Sequence, residues 1–318
     1  MKNNTAPLTA PLFVSVVFLL LGISKRLLSY VSVSDPESMV LYAAIFELFV
    51  FAIPAAFFLK IKDENFLEYS KVKKISFSDL PFVLSAAATF VFGAVIILYL
   101  QRNFLDASAD TASIIDPVKA EVSLFSVFLY YVLIPALSEE LFFRSIIISE
   151  YSSYGGPVAI TVSSLFFAML HFSFAEFPFY FFSGAVLGII TFVTGSAFPA
   201  IIIHVLNNTV TVFFGQWLTA FLSESSSSVI LAFILVVLFL ASVLSLLSTM
   251  EDIYEKRSAM YDKGLFPGKR REALLGVAKA GIVEKKTKAA AKARTNPFLS
   301  PTLFMALALY ILITLNVI

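Results

Sequence analysis

The 318-residue chain contains no cysteine, so disulfides, thiolate metal centres and cysteine nucleophiles are all excluded. Histidine is nearly absent as well, with two in the whole chain, and charged residues make up only 14%. Soluble domains carry close to a quarter charged residues, so most of this chain cannot face water. The net charge of +1 comes with no basic, aromatic-interleaved surface of the kind that binds nucleic acid, and none is expected as a partner. What the chain has instead is apolar mass: 59% hydrophobic residues, 35 of them Phe.

That mass falls into runs near the ~20 residues needed to cross a bilayer as a helix. The runs are Ala6 to Ser24, Ser38 to Leu59, Pro81 to Leu100, Val122 to Ser149, Pro157 to Phe174, Phe177 to Thr194, Ala197 to Leu218, Ser227 to Met250 and Leu299 to Ile318. Turn-forming breaks such as Ser34-Asp35-Pro36, Gly155-Gly156-Pro157 and Thr194-Gly195-Ser196 separate them. The expected fold is an all-α polytopic transmembrane bundle of about nine spans. The first run ends at Lys25-Arg26 without a small-residue cleavage site and reads as a retained helix, not a secretory signal.

With the N-terminus cytoplasmic, the inner segments hold eighteen Lys and Arg and the outer ones four, in accord with the positive-inside rule. Residues 251–298 form one sizeable polar stretch, its Lys285 to Arg294 run rich in Ala, read as a partly helical, basic cytoplasmic linker leaning on anionic headgroups, a solvated loop being preferred to a dedicated binding tail. The organisation expected is N-terminal helices over 1–120, a core over 121–219, a further helix over 220–250, the linker, and a last helix over 299–318. A prokaryotic plasma membrane suits this layout.

Ionisable groups at membrane depth are costly and mark functional sites. Glu139, Glu140 and Arg144 lie in the fourth run, His171 at the end of the fifth, and His204, Asn207 and Asn208 in the seventh. Glu140 and Arg144, four residues apart, share a helix face, whereas Glu139 is turned about 100° from Glu140. Glu140 therefore has a built-in cation, and Glu139 is the carboxylate left for proton transfer. His204 and Asn208, again four apart, project two donors from one face, suited to a developing oxyanion. At about 1.5 Å per residue, Glu140, His171 and His204 lie roughly 15, 21 and 9 Å from the inner ends of their helices, compatible with one cavity. Phe167 reads as cavity wall. Glu47, isolated in the second run, reads as interhelical packing ahead of cavity polarity.

The ordered set Glu-Glu-x-x-x-Arg (Glu139, Glu140, Arg144), Phe-x-x-x-His (Phe167, His171) and His-x-x-x-Asn (His204, Asn208), each on its own apolar run, resembles the CPBP family of CAAX prenyl endopeptidases and bacteriocin-processing or immunity proteins. The resemblance covers Val122 to Leu218. It implies an intramembrane endopeptidase with a four-helix-like catalytic core. Glu139 and His171 would activate a water, His204 and Asn208 would hold the oxyanion, and Glu140 with Arg144 would support the site. The expected partner is a membrane-anchored protein or peptide, of the prenylated CAAX type or another. No cofactor is expected; if a divalent metal such as zinc is used, Glu139, His171 and His204 are its ligands, although no His-Glu-x-x-His signature is present. A non-catalytic membrane immunity or binding protein, or a proton-coupled transporter, is the alternative. Neither substrate identity nor oligomeric state is written in the chain.

Overall fold

The computed structural model describes residues 6–30, 35–62, 70–104, 121–224, 228–262 and 296–316. Among them are nine apolar helices and no strand, one for each predicted run: α1 (Ala6–Tyr30), α2 (Pro36–Lys62), α3 (Leu80–Phe104), α4 (Leu124–Tyr154), α5 (Gly156–Met169), α6 (Phe177–Thr194), α7 (Phe198–Glu224), α8 (Ser228–Asp262) and α9 (Pro301–Thr314). Six of them are long and apolar enough to cross a membrane. The apolar part of α1 (Leu8–Ser24), α5 and α9 are shorter; α5, with 14 residues, reaches about 21 Å against a hydrocarbon core of about 30 Å. The chain is an integral membrane protein.

Two boundaries differ from expectation. The fifth helix stops at Met169, not near Phe174, because Phe172 turns into the left-handed region at φ 48°. Its N–H reaches back to the Met169 carbonyl (3.1 Å), closing the helix end. The eighth continues beyond Met250 to Asp262, so the start of the polar stretch is helical. The remainder of that stretch, including Lys285 to Arg294, lies outside the described residues.

α4 is not a uniform α-helix. Its Leu129–Leu133 and Leu141–Ile147 segments are π-helical, flanking the α-helical turn Ile134–Glu140. Pro135 accounts for the first: it has no N–H to donate, and its ring collides with the carbonyl four residues back unless the helix widens there. π-turns concentrate at functional sites, and Glu139 and Glu140 sit where one α-turn meets the second π-segment.

α4 to α7 make the centre. α1, α2 and α9 close one side through a cluster that includes Val14, Phe18, Phe51, Phe142, Phe167 and Tyr310. α3 and α8 close the other, with Phe82, Phe90, Val186, Ile190 and Leu246. Outward-facing apolar side chains are the rule: Trp217, Phe233 and Leu244 are each about two-thirds exposed (66%, 69% and 68%), a surface that only lipid would solvate favourably. At one end of the bundle polar groups gather. Lys62 pairs with Glu150 (2.7 Å), and Arg257 reaches Asp79 (3.7 Å) and the Val193 carbonyl at the C-terminus of α6. There the Lys71 carbonyl accepts from Ala197 N–H (2.9 Å) at the start of α7.

Gly184 lets α5 and α6 touch. A Cβ there would lie 3.0 Å from Ser164 Cα and 3.3 Å from Phe167 Cδ1, so a side chain would have to push backbone aside. Gly184→Ala should cost about 1–3 kcal/mol, read as a lower unfolding midpoint in detergent. An unchanged midpoint would show that the two helices do not approach this closely.

Candidate active site

The most thoroughly satisfied group in the chain is a fully buried ion pair. Arg144 donates from Nε to Glu140 Oε2 (2.8 Å) and from its second terminal nitrogen to Glu140 Oε1 (3.2 Å), and both residues have zero exposure. The remaining terminal nitrogen donates to Ser163 Oγ (3.0 Å), which donates in turn to the Phe143 carbonyl (3.2 Å). The guanidinium also lies 4.7 Å from the Phe167 ring centroid, a cation–π contact. The expected pairing of Glu140 with Arg144 is thus present, and α5 clamps it from across the helix interface.

His204, on α7, completes the network. Its Nδ1 lies 3.0 Å from Glu140 Oε1 and its Nε2 3.9 Å from Glu139 Oε2. The two glutamates were expected to face different directions. Their side chains nevertheless converge on opposite edges of one imidazole, because the carboxylates extend well beyond backbone positions about 100° apart. Glu139 is buried, and its Oε2 has no hydrogen-bond partner among the described residues. A buried carboxylate oxygen without a partner is expensive, and such an atom in a native site calls for a ligand or a function.

His171 sits in the turn just past α5. Its Nδ1 is 3.0 Å from the Phe167 carbonyl oxygen, which can only accept, so the proton resides on Nδ1 and Nε2 is left as the acceptor. Phe167 makes tilted, edge-type contacts with both histidines, at 5.3 Å from His171 and 5.8 Å from His204 between ring centroids, in keeping with its reading as wall. Asn208 is half-buried one turn beyond His204, and Asn207 donates to Asn208 Oδ1 (3.4 Å). That contact leaves the Asn208 amide hydrogens for another acceptor.

Three contributors have no place in the sequence pattern. Ser163 is four residues before Phe167, so the Phe-x-x-x-His face extended by one turn would have included it. Tyr180 stacks on His171, but nothing distinguishes it in sequence from the other aromatic residues at the start of α6. Glu47, read as packing, faces Ser138 and lies close enough to Glu139 for their charges to interact. α2 therefore adds a third carboxylate to the polar cluster.

Zinc would need three or more His, Asp or Glu side chains gathered around one point. Among the described residues no such group exists. His204 also has both ring nitrogens directed at Glu139 and Glu140. Among the described residues Glu139, His171 and His204 do not form a metal cradle.

The fold and this cluster define a polytopic membrane protein with a polar, carboxylate- and histidine-lined site enclosed by its own helices. Residues 121–210 match the family model described as Rce1-like, type II CAAX prenyl endopeptidase Rce1-like, in keeping with the resemblance to the CPBP family. The matched stretch holds Glu139, Glu140, Arg144, His171, His204 and Asn208. The chain matches no curated protein and no solved structure.

Removing either partner of the buried ion pair should be severe. Glu140→Gln or Arg144→Met leaves an uncompensated buried charge, at about 3–5 kcal/mol. The double variant Glu140→Leu/Arg144→Met should recover much of that loss, since breaking a buried pair costs more than replacing it with apolar groups. Thermal unfolding in detergent measures all three. A double variant as unstable as the singles would mean that Ser163 and His204, not the pair itself, carry the stability.

Proposed function

We propose that the chain is an intramembrane endopeptidase that hydrolyses a peptide bond of a membrane-anchored protein or peptide with a water activated by Glu139 and His171. The observation that carries this reading is the buried, partnerless oxygen of Glu139 facing His204 Nε2 across 3.9 Å, with His171 packed on the same Phe167 ring as His204. The Rce1-like match over the same residues supports it.

In the proposed reaction a water sits between Glu139 and His171 Nε2. The Nδ1–H bond to Phe167 makes His171 Nε2 an acceptor, suited to orient the water through one hydrogen. Glu139 takes the other as the water oxygen attacks the scissile carbonyl carbon. The carbonyl electron pair moves onto oxygen, where Asn208 Nδ2 and protonated His204 Nε2 donate to it. Glu140 sustains the imidazolium by accepting from Nδ1. Glu139 then passes its proton to the leaving nitrogen and the C–N bond breaks.

The substrate class in keeping with the family match is a lipid-anchored C-terminal segment of the CAAX type, reaching the site from the bilayer. The clustering of Lys62, Lys71 and Arg257 at one end of the bundle supports a cytoplasmic N-terminus.

Purified protein in liposomes should cleave a membrane-anchored peptide, and Glu139→Gln and His171→Ala should each reduce the rate by about 10²–10⁴-fold. Comparing the termini of membrane proteins in cells carrying active and Glu139→Gln protein then identifies the substrate. Equal cleavage by wild type and Glu139→Gln would overturn the enzyme reading. Proton-coupled flux without cleavage would replace it with transport.

A further inference from the structure

A histidine that orients water through Nε2 needs its ring plane fixed as well as its tautomer. The hydrogen bond from Nδ1 to the Phe167 carbonyl pins one edge of the His171 ring, but an edge contact is a hinge about which the plane can still swing. His171 lies in the turn beyond α5, where side chains of neighbouring helices must limit that swing. The α6 residue Tyr180 meets the open face. Its ring lies on the imidazole at a centroid distance of 3.3 Å and an interplanar angle of 13°.

Tyr180 is itself held. Phe167 packs on it at 67° (6.4 Å) and Phe179 at 80° (5.3 Å), so the ring that restrains the histidine is edged by two others. Phe167 meets His171 at 61° (5.3 Å). The imidazole is thus stacked on one ring, met by a second and hydrogen-bonded at one nitrogen. Only Nε2 has no protein partner among these contacts. Glu176 and Glu139 are the charged groups that bear on the Tyr180 hydroxyl, which places this ring at the margin of the polar cluster.

We propose that Tyr180 is a positioning residue: its flat face clamps the His171 ring so that the proton stays on Nδ1 and Nε2 stays directed at the reacting water. The proposal rests on the endopeptidase reading for its consequence in activity, but the clamp itself is observable without turnover. It assigns the work to the ring face, so Phe should substitute for Tyr and an aliphatic residue should not.

The chain's two histidines make the test tractable. Full-length protein with ¹⁵N-labelled histidine in lipid nanodiscs should show one neutral ring locked as the Nδ1–H tautomer, assigned to His171 by its loss in His171→Gln. That signal should persist in Tyr180→Phe and give way to tautomer exchange in Tyr180→Leu. In liposome cleavage, Tyr180→Phe should stay within about threefold of wild type, and Tyr180→Leu should lose kcat by about 10²-fold with KM nearly unchanged, the scale of a misplaced catalytic group. Tyr180→Trp, which keeps an aromatic face, covers the case in which the leucine variant fails to fold, and should retain the locked tautomer.

A folded leucine variant with an unaltered tautomer and kcat overturns the proposal. So does a phenylalanine variant as impaired as the leucine one, because the hydroxyl and not the face would then be at work. If wild type cleaves nothing while the tautomer responds as described, the endopeptidase reading fails and the clamp stands. If wild type cleaves, Glu139→Gln is dead and Tyr180→Leu is fully active, the clamp fails alone.

Discussion

Everything polar in the middle of this bundle is organised by the ion pair between Glu140 and Arg144. Two opposite charges with zero exposure are tolerable only when nearly every donor and acceptor is used. Here Arg144 spends its donors on Glu140 and Ser163 and lays its face on Phe167, while Glu140 spends its oxygens on Arg144 and His204. α4, α5 and α7 are thereby joined at one point. Shifting any of these helices by a turn would strand a charge, so the pair selects one register for all three.

The same pair controls where protons can reside. Glu139 and Glu140 together bring two negative charges and Arg144 one positive, so the cluster is neutral when it holds one more proton. With His204 Nδ1–H committed to Glu140, that proton belongs either to His204 Nε2 or to Glu139 Oε2, which face one another across 3.9 Å. An oxyanion donor needs it on His204, and a leaving group needs a proton on Glu139. In the proposed hydrolysis His204 keeps this proton and donates to the oxyanion, while Glu139 takes a second one from the attacking water and hands it to the leaving nitrogen. Glu47, nearby on α2, adds to the negative charge there.

Much of this was present in the amino-acid sequence, for reasons of period and scarcity. All nine apolar runs became helices, because about twenty consecutive apolar residues leave the backbone no other way to satisfy its hydrogen bonds in lipid. Glu140 and Arg144 were paired by spacing alone, and His171 and His204 stood out as the chain's only histidines. What spacing could not supply was the convergence of Glu139 and Glu140 on one ring, since helix angle positions a Cβ and not the end of a long side chain. Tyr180 and Ser163 were invisible for another reason: both belong to abundant residue types, and only contact across helices distinguishes them. For Glu47 packing was preferred over cavity polarity, because the helix that carries it lies far from the motif in sequence although beside it in space.

The outlying helices are more than a lipid-facing sleeve. Ending α5 at Met169 requires Phe172 in the left-handed region, which a bulky residue adopts only when its surroundings hold it there. Those surroundings come from both ends of the chain: Phe18 of α1 meets Phe172 edge-on at 5.4 Å, and Tyr310 of α9 stacks on it at 6.4 Å. Tyr310 also contacts Phe174 (5.3 Å), and its hydroxyl donates to the Ser173 carbonyl (3.4 Å). The turn that carries His171 is therefore gripped by the first and last helices, outside the 121–210 stretch that matches the family. A short α5 frees His171 from the helix so that its ring can meet Tyr180. The flanking helices stabilise the strained turn that this freedom requires.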